Sequence, residues 1–93
     1  MIVGKVIGNV WATRKDQGLN GLKLLVVKPI DHGSGMNRPE LVAADSVGAG
    51  IGELVLVVTG SSARRVDDND QCPLDAMIVG IVDEVEVNGN IEL

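Results

Sequence analysis

Residues Gly48 to Arg64 read GAGIGELVLVVTGSSAR, and the fold turns on whether those glycines open a helix or bend the chain into a strand. A dinucleotide-binding fingerprint requires G-x-G-x-x-G at the start of a helix, whose terminal amides and dipole hold the pyrophosphate. Here the spacing is G-x-G-x-G, and the ELVLVV that follows is strand-like. The stretch therefore reads as a tight bend packed against other backbone, for which glycine is suited, feeding a strand.

Working outward, Ile2 to Ala12 (IVGKVIGNVWA) places Val3, Ile7 and Trp11 on one face and Val6 and Val10, with Gly4 and Gly8, on the other. Both faces are partly apolar, so this is a strand whose glycines allow bending or close backbone approach. The polar TRKDQGLNG, with the turn signal Asn20-Gly21, leads to the buried strand LKLLVVKPI, and the two strands make an antiparallel hairpin. Asp31 to Glu40 is a Gly-, Pro- and polar-rich loop, LVAAD a short strand, and ELVLVVTG a fourth strand. SSARRV forms a short helical turn with Ser61 or Ser62 as N-cap, ahead of the acidic loop DDNDQCP. MIVGIVDEVEV is a fifth strand, apolar on both faces in its first half and alternating Val with Asp and Glu in its second. Five short strands and several glycine bends predict an all-β fold, a small five-stranded antiparallel barrel, because closure removes exposed edges. Residues 1–93 form a single domain with no internal repeat or linker.

A 93-residue chain buries only roughly 60 to 70 % of its unfolded surface. One cysteine, Cys72, excludes an internal disulfide, and one histidine, His32, leaves no Cys/His cluster for zinc. Oligomerisation is the remaining common source of stability. Apolar residues are 45 % of the chain, yet there is no Phe or Tyr and one Trp, so the interior is built from Val, Ile, Leu and Ala. The net charge of −5 and the scatter of Lys5, Arg14, Lys15, Lys23, Lys28, Arg38, Arg64 and Arg65 along the sequence argue against nucleic acid as a partner. No apolar run reaches the roughly 20 residues of a membrane span, and the N-terminal segment lacks the features of a signal peptide. A soluble, cytoplasmic protein is expected, with no membrane partner.

Catalytic readings fail on chemistry. Neither Ser61 nor Ser62 sits in a G-x-S-x-G elbow, and the only histidine, His32, belongs to a separate loop. Asp67 to Gln71 (DDNDQ) lacks the central glycine and terminal glutamate of a calcium loop. Cys72 is a lone thiol, and Trp11 is read as packing. No catalytic residue, cofactor or metal is predicted.

Taken together, SVGAGIGELVLVVTGSSAR, VIGNVWATRK, GLKLLVV and DAMIVGIVD resemble the EutN/CcmL family of bacterial microcompartment vertex proteins, in the family's order and over nearly the whole chain. The resemblance implies a barrel of OB-like topology assembled as a cyclic pentamer. It also implies a place at the vertices of a polyhedral shell in the cytoplasm, among hexagonal shell tiles and around a lumen of encapsulated enzymes. A ring needs heterologous contacts between different surfaces of adjacent subunits. Gly48, Ala49, Gly50 and Gly52 would allow close approach there, Glu53 and Arg64 could form a charge-assisted pair, and Ser61 and Ser62 are further interface or pore candidates. Gly50 is expected to need a positive φ or to touch a neighbour. The competing reading is an OB-like barrel that binds a small molecule or oligonucleotide.

Overall fold

The computed structural model describes residues 1–11, 21–30, 38–60, 75–87 and 89–91. Five strands close a barrel: β1 (Ile2–Val10), β2 (Lys23–Pro29), β3 (Leu41–Asp45), β4 (Leu54–Thr59) and β5 (Ala76–Val82), in the order β1-β2-β3-β5-β4. Two short strands, β6 (Glu86–Val87) and β7 (Asn90–Ile91), form a separate two-stranded sheet.

The β1–β2 hairpin expected from the sequence is present, antiparallel from Gly4↔Pro29 to Val10↔Leu24. β2–β3, β1–β4 and β4–β5 are also antiparallel. The barrel closes through a parallel seam, where Ala44 faces Met77 and Asp45 faces Ile78. This seam follows from chain reversal. β3 and β4 are joined by a tight bend and run oppositely, β5 returns antiparallel to β4, and so it lies parallel to β3.

Small aliphatic side chains fill the interior, as the lack of Phe and Tyr requires. Val6, Leu25, Val27, Ala43, Ala49, Val55, Val57, Ala76 and Ile78 form one buried cluster, while Ala44, Val58 and Met77 form a second. Val and Ala fit the inside of a narrow barrel, and the branched residues also suit the pleated backbone.

The two glycines of β1 differ. A Cβ on Gly4 would run into the Cγ1 of Val27 and stand 3.0 Å from the carbonyl oxygen of Lys28, whereas one on Gly8 would meet nothing nearer than Val26 at 3.9 Å. Gly4 is thus the site of close strand approach. The register shifts by one residue between Val6 and Gly8, a bulge that re-aims the end of β1. Ile7 and Trp11 are exposed.

The fifth strand differs from its expected span. β5 stops at Val82, residues 83–85 are not strand, and the alternating second half enters the β6–β7 hairpin. Gly89, between the two strands, has φ +82°, a left-handed conformation that hairpin turns use. The predicted helical turn at 61–66, the acidic loop with Cys72, the loop at 12–20 and His32 lie outside the described residues.

Candidate assembly surface

The glycine segment joins β3 to β4, occupying residues 46–53 at one end of the barrel. By the strand directions, the ends of β1, β3 and β5 and the starts of β2 and β4 gather at this same end. Two carboxylates fix the segment. Asp45, buried at 3 % exposure, accepts hydrogen bonds from the amides of Val47 at Oδ1 and Ala49 at Oδ2, both at 2.9 Å. Glu53 Oε1 accepts from the Gly50 amide at 2.7 Å. The amide of Glu53 donates to the Gly50 carbonyl at 3.1 Å, closing a turn around Ile51 and Gly52.

The barrel backbone ties down the rest. The amide of Gly52 donates to the Val6 carbonyl at 2.8 Å, and that of Val6 to the Glu53 carbonyl at 2.9 Å, so β1 continues its pairing past the start of β4. Lys23 Nζ donates to the Ala49 carbonyl at 3.4 Å. An Asp that accepts from backbone amides two and four residues ahead forms an Asx-type turn. The sequence carries its signal, an Asp ending an apolar strand just before Ser-x-Gly.

These bonds decide the chemistry of the loop. A phosphate cradle needs backbone amides aimed at an empty concavity. Here the amides of Val47, Ala49, Gly50, Gly52 and Glu53 already donate to protein acceptors. The acceptors include two carboxylates, whose charge opposes an anion. The segment is architecture.

Gly48 and Gly52 adopt φ +88° and +92°, and neither would bring a Cβ within 4 Å of another group. Glycine is needed there for its backbone conformation. Of the two alternatives expected at Gly50, the positive φ is absent, and a Cβ on it would stand 3.3 Å from Glu53 Oε1 of its own chain. Ala49 is buried in the core cluster at 1 % exposure, so its side chain faces inward. The loop instead turns Val47 and Ile51 to solvent, at 43 % and 64 % exposure. Ser61, Ser62 and Arg64 lie outside the described residues, and with them the expected Glu53–Arg64 pair.

A cleft of about 450 Å³ opens at the opposite end, lined by Leu41, Val42, Thr59, Gly60, Asp75 and Ala76. It lies where β3 and β5 separate beyond their short parallel seam.

Residues 1–83 match the family model described as ethanolamine utilisation protein EutN/carboxysome. The chain is 50 % identical over 88 residues to carboxysome shell vertex protein CcmL of Synechocystis sp., covering 94 % of this chain and 87 % of that protein. It is 43 % identical over 91 residues to bacterial microcompartment shell vertex protein EutN of Salmonella typhimurium, covering 98 % and 92 %. Its fold superposes on the GrpN pentameric microcompartment shell protein from Rhodospirillum rubrum with a TM-score of 0.81 at 46 % identity, covering 94 % of this chain and 99 % of that one. These similarities span the barrel, its strand order and its glycine bend, and the chain belongs to the EutN/CcmL family.

Proposed function

We propose that this chain is a structural shell protein: a cyclic pentamer that occupies the vertices of a bacterial microcompartment in the cytoplasm. The observation that carries the reading is the near full-length match, in sequence and fold, to a protein described as a pentameric microcompartment shell protein. The local chemistry agrees, because the segment that most resembles a ligand loop has spent its amides and carboxylates on holding itself rigid.

Assembly is the activity in this reading. Hexagonal tiles alone make a flat sheet, and five-fold corners let such a sheet curve and close. The chain has no catalytic step; its pentamer seals the corner between tiles, and the closed shell confines the enzymes inside. In this reading subunit contacts form at Val47, Gly48, Ile51 and Gly52 on the hydrogen-bonded bend, with Glu53, Ser61, Ser62 and Arg64 as further contact or pore-lining residues. An oligonucleotide groove on an OB-like barrel uses strands 2 and 3 with aromatic stacking, and neither β2 (KLLVVKP) nor β3 (LVAAD) carries an aromatic residue.

Co-expression with hexagonal shell tiles from the same gene cluster tests the function. With the chain present, electron microscopy of purified particles shows closed polyhedra; without it, open shells, sheets or tubes. Equally closed and impermeable polyhedra in the absence of this chain and of any substitute pentamer would overturn the proposal.

A further inference from the structure

The β6–β7 hairpin is the one described element whose strands join no barrel strand. Two strands of two residues each are far below the size at which a hairpin is stable by itself in water. The segment leading into it carries Asp83, Glu84 and Glu86, all exposed. A counterpart of opposite charge lies on the barrel exterior, where Lys5 of β1 sits directly across from Lys28 of β2. Like charges in that position repel. Among the described residues, the single ion pair near them is Lys28 Nζ to Glu40 Oε1 at 3.8 Å, between side chains 38 % and 53 % exposed. Lys28 also donates to the Arg38 carbonyl at 3.1 Å. The ladder continues from Lys5 to Leu54 and from Leu54 to Val82, so the acidic segment leaves the barrel in the same row as the two lysines.

We infer that the C-terminal hairpin is an assembly arm, and that its Asp83, Glu84 and Glu86 dock on the Lys5/Lys28 pair of a second copy of this chain. The inference rests on the ring reading. A ring joins one surface of each subunit to a different surface of the next, and an acidic arm with a basic receiving pair is such a combination. Docking gives the small hairpin the support it lacks alone and neutralises the cross-strand lysines. It also makes ring stability depend on salt.

The test uses two isotopically distinct preparations of the full chain, co-refolded so that native mass spectrometry shows mixed pentamers. Treatment with a zero-length carbodiimide cross-linker then joins lysines to carboxylates in contact. The expected result is links from Lys5 or Lys28 to Asp83, Glu84 or Glu86 between chains of different isotope. Mixed pentamers without these links, or with them only inside single chains, overturn the arm and leave the ring; absence of pentamers overturns the ring itself.

A second measurement is independent of cross-linking. Exposed ion pairs are worth about 0.2 to 1 kcal/mol each, so Glu84→Lys with Glu86→Lys raises the concentration at half-dissociation roughly two- to thirtyfold at low salt. Adding Lys5→Glu and Lys28→Glu to that variant restores it, and at 1 M salt, where the screening length is about 3 Å, the difference disappears. Identical dissociation of wild type and the Glu84/Glu86 variant at low salt overturns the arm.

Discussion

Asp45→Asn isolates what holds the glycine bend in place. The side chain is buried at 3 % exposure and gives one carboxylate oxygen to each of two backbone amides, at 2.9 Å. Asparagine keeps the shape but turns one acceptor into a donor, so one backbone amide meets an N–H group. The Ala49 bond is buried and the Val47 bond only partly so; the asparagine oxygen therefore stays with Ala49 and the mismatch falls at Val47, where water relieves part of it. Losing one charge-assisted hydrogen bond and weakening the other amounts to about 2 to 3 kcal/mol. For a domain of this size, 1 kcal/mol moves the melting temperature by roughly 4 to 8 °C, so the expected drop is on the order of 10 to 20 °C. Calorimetry at one fixed protein concentration is required, because assembly contributes to apparent stability. Asp75→Asn, the same chemical change at an exposed position, is the control and stays within about 0.5 kcal/mol of wild type. Asp45→Ala, which leaves both amides without their acceptor, melts below Asp45→Asn. Equal melting temperatures for Asp45→Asn and Asp75→Asn would show that the two hydrogen bonds do not hold the bend.

Three further outcomes follow from the glycines. Gly48→Ala and Gly52→Ala each force a Cβ into left-handed backbone near φ +90° and cost about 1 to 2 kcal/mol apiece in urea unfolding; Gly50→Ala, without a positive φ, costs less than either, and the reverse order would reject this assignment. Gly4→Ala drives a methyl into Val27 and against the Lys28 carbonyl, an overpacking cost of about 1 to 3 kcal/mol, while Gly8→Ala fits; equal melting temperatures for the two would contradict the close approach at Gly4. Gly50→Val, whose branched side chain crowds Glu53 Oε1, loosens the turn at Gly50, and size-exclusion chromatography reads this as fewer pentamers than for wild type.

Much of the barrel is legible because local sequence and final packing agree. The glycine segment fails the helix-opening spacing and runs straight into ELVLVV, so a bend followed by a strand is the reading that satisfies both. The β1–β2 hairpin is readable for the same reason, since two apolar runs flank a turn signal. The parallel β3–β5 seam is less visible: it depends on which strands meet after the chain has reversed twice, and only two residue pairs form it. The fate of DEVEV was obscured because alternation is the same signal in a barrel strand and in a hairpin. The decisive feature is Gly89 downstream, whose φ of +82° lies where the chain turns back from β6 to β7.

The bend shows a different limit. Spacing identifies glycines but not the work each one does, and the three divide by backbone angle: Gly48 and Gly52 are held in left-handed conformations, and Gly50 is not. That division follows from hydrogen bonds made by residues flanking the motif. Asp45 draws the amides of Val47 and Ala49 inward, burying Ala49 and making the chain reverse at Gly48. Glu53 holds the Gly50 amide at the exposed edge of the bend, and Gly52 turns to rejoin β1 through the Val6 carbonyl. With these amides and both carboxylates engaged inside the segment, Val47 and Ile51 are the large apolar side chains it presents to a neighbour, one on either side of the bend. Such a surface suits contact between fixed protein partners, which bury apolar area without first ordering a loop, and the same hydrogen bonds within the segment that oppose a phosphate are what preorganise it.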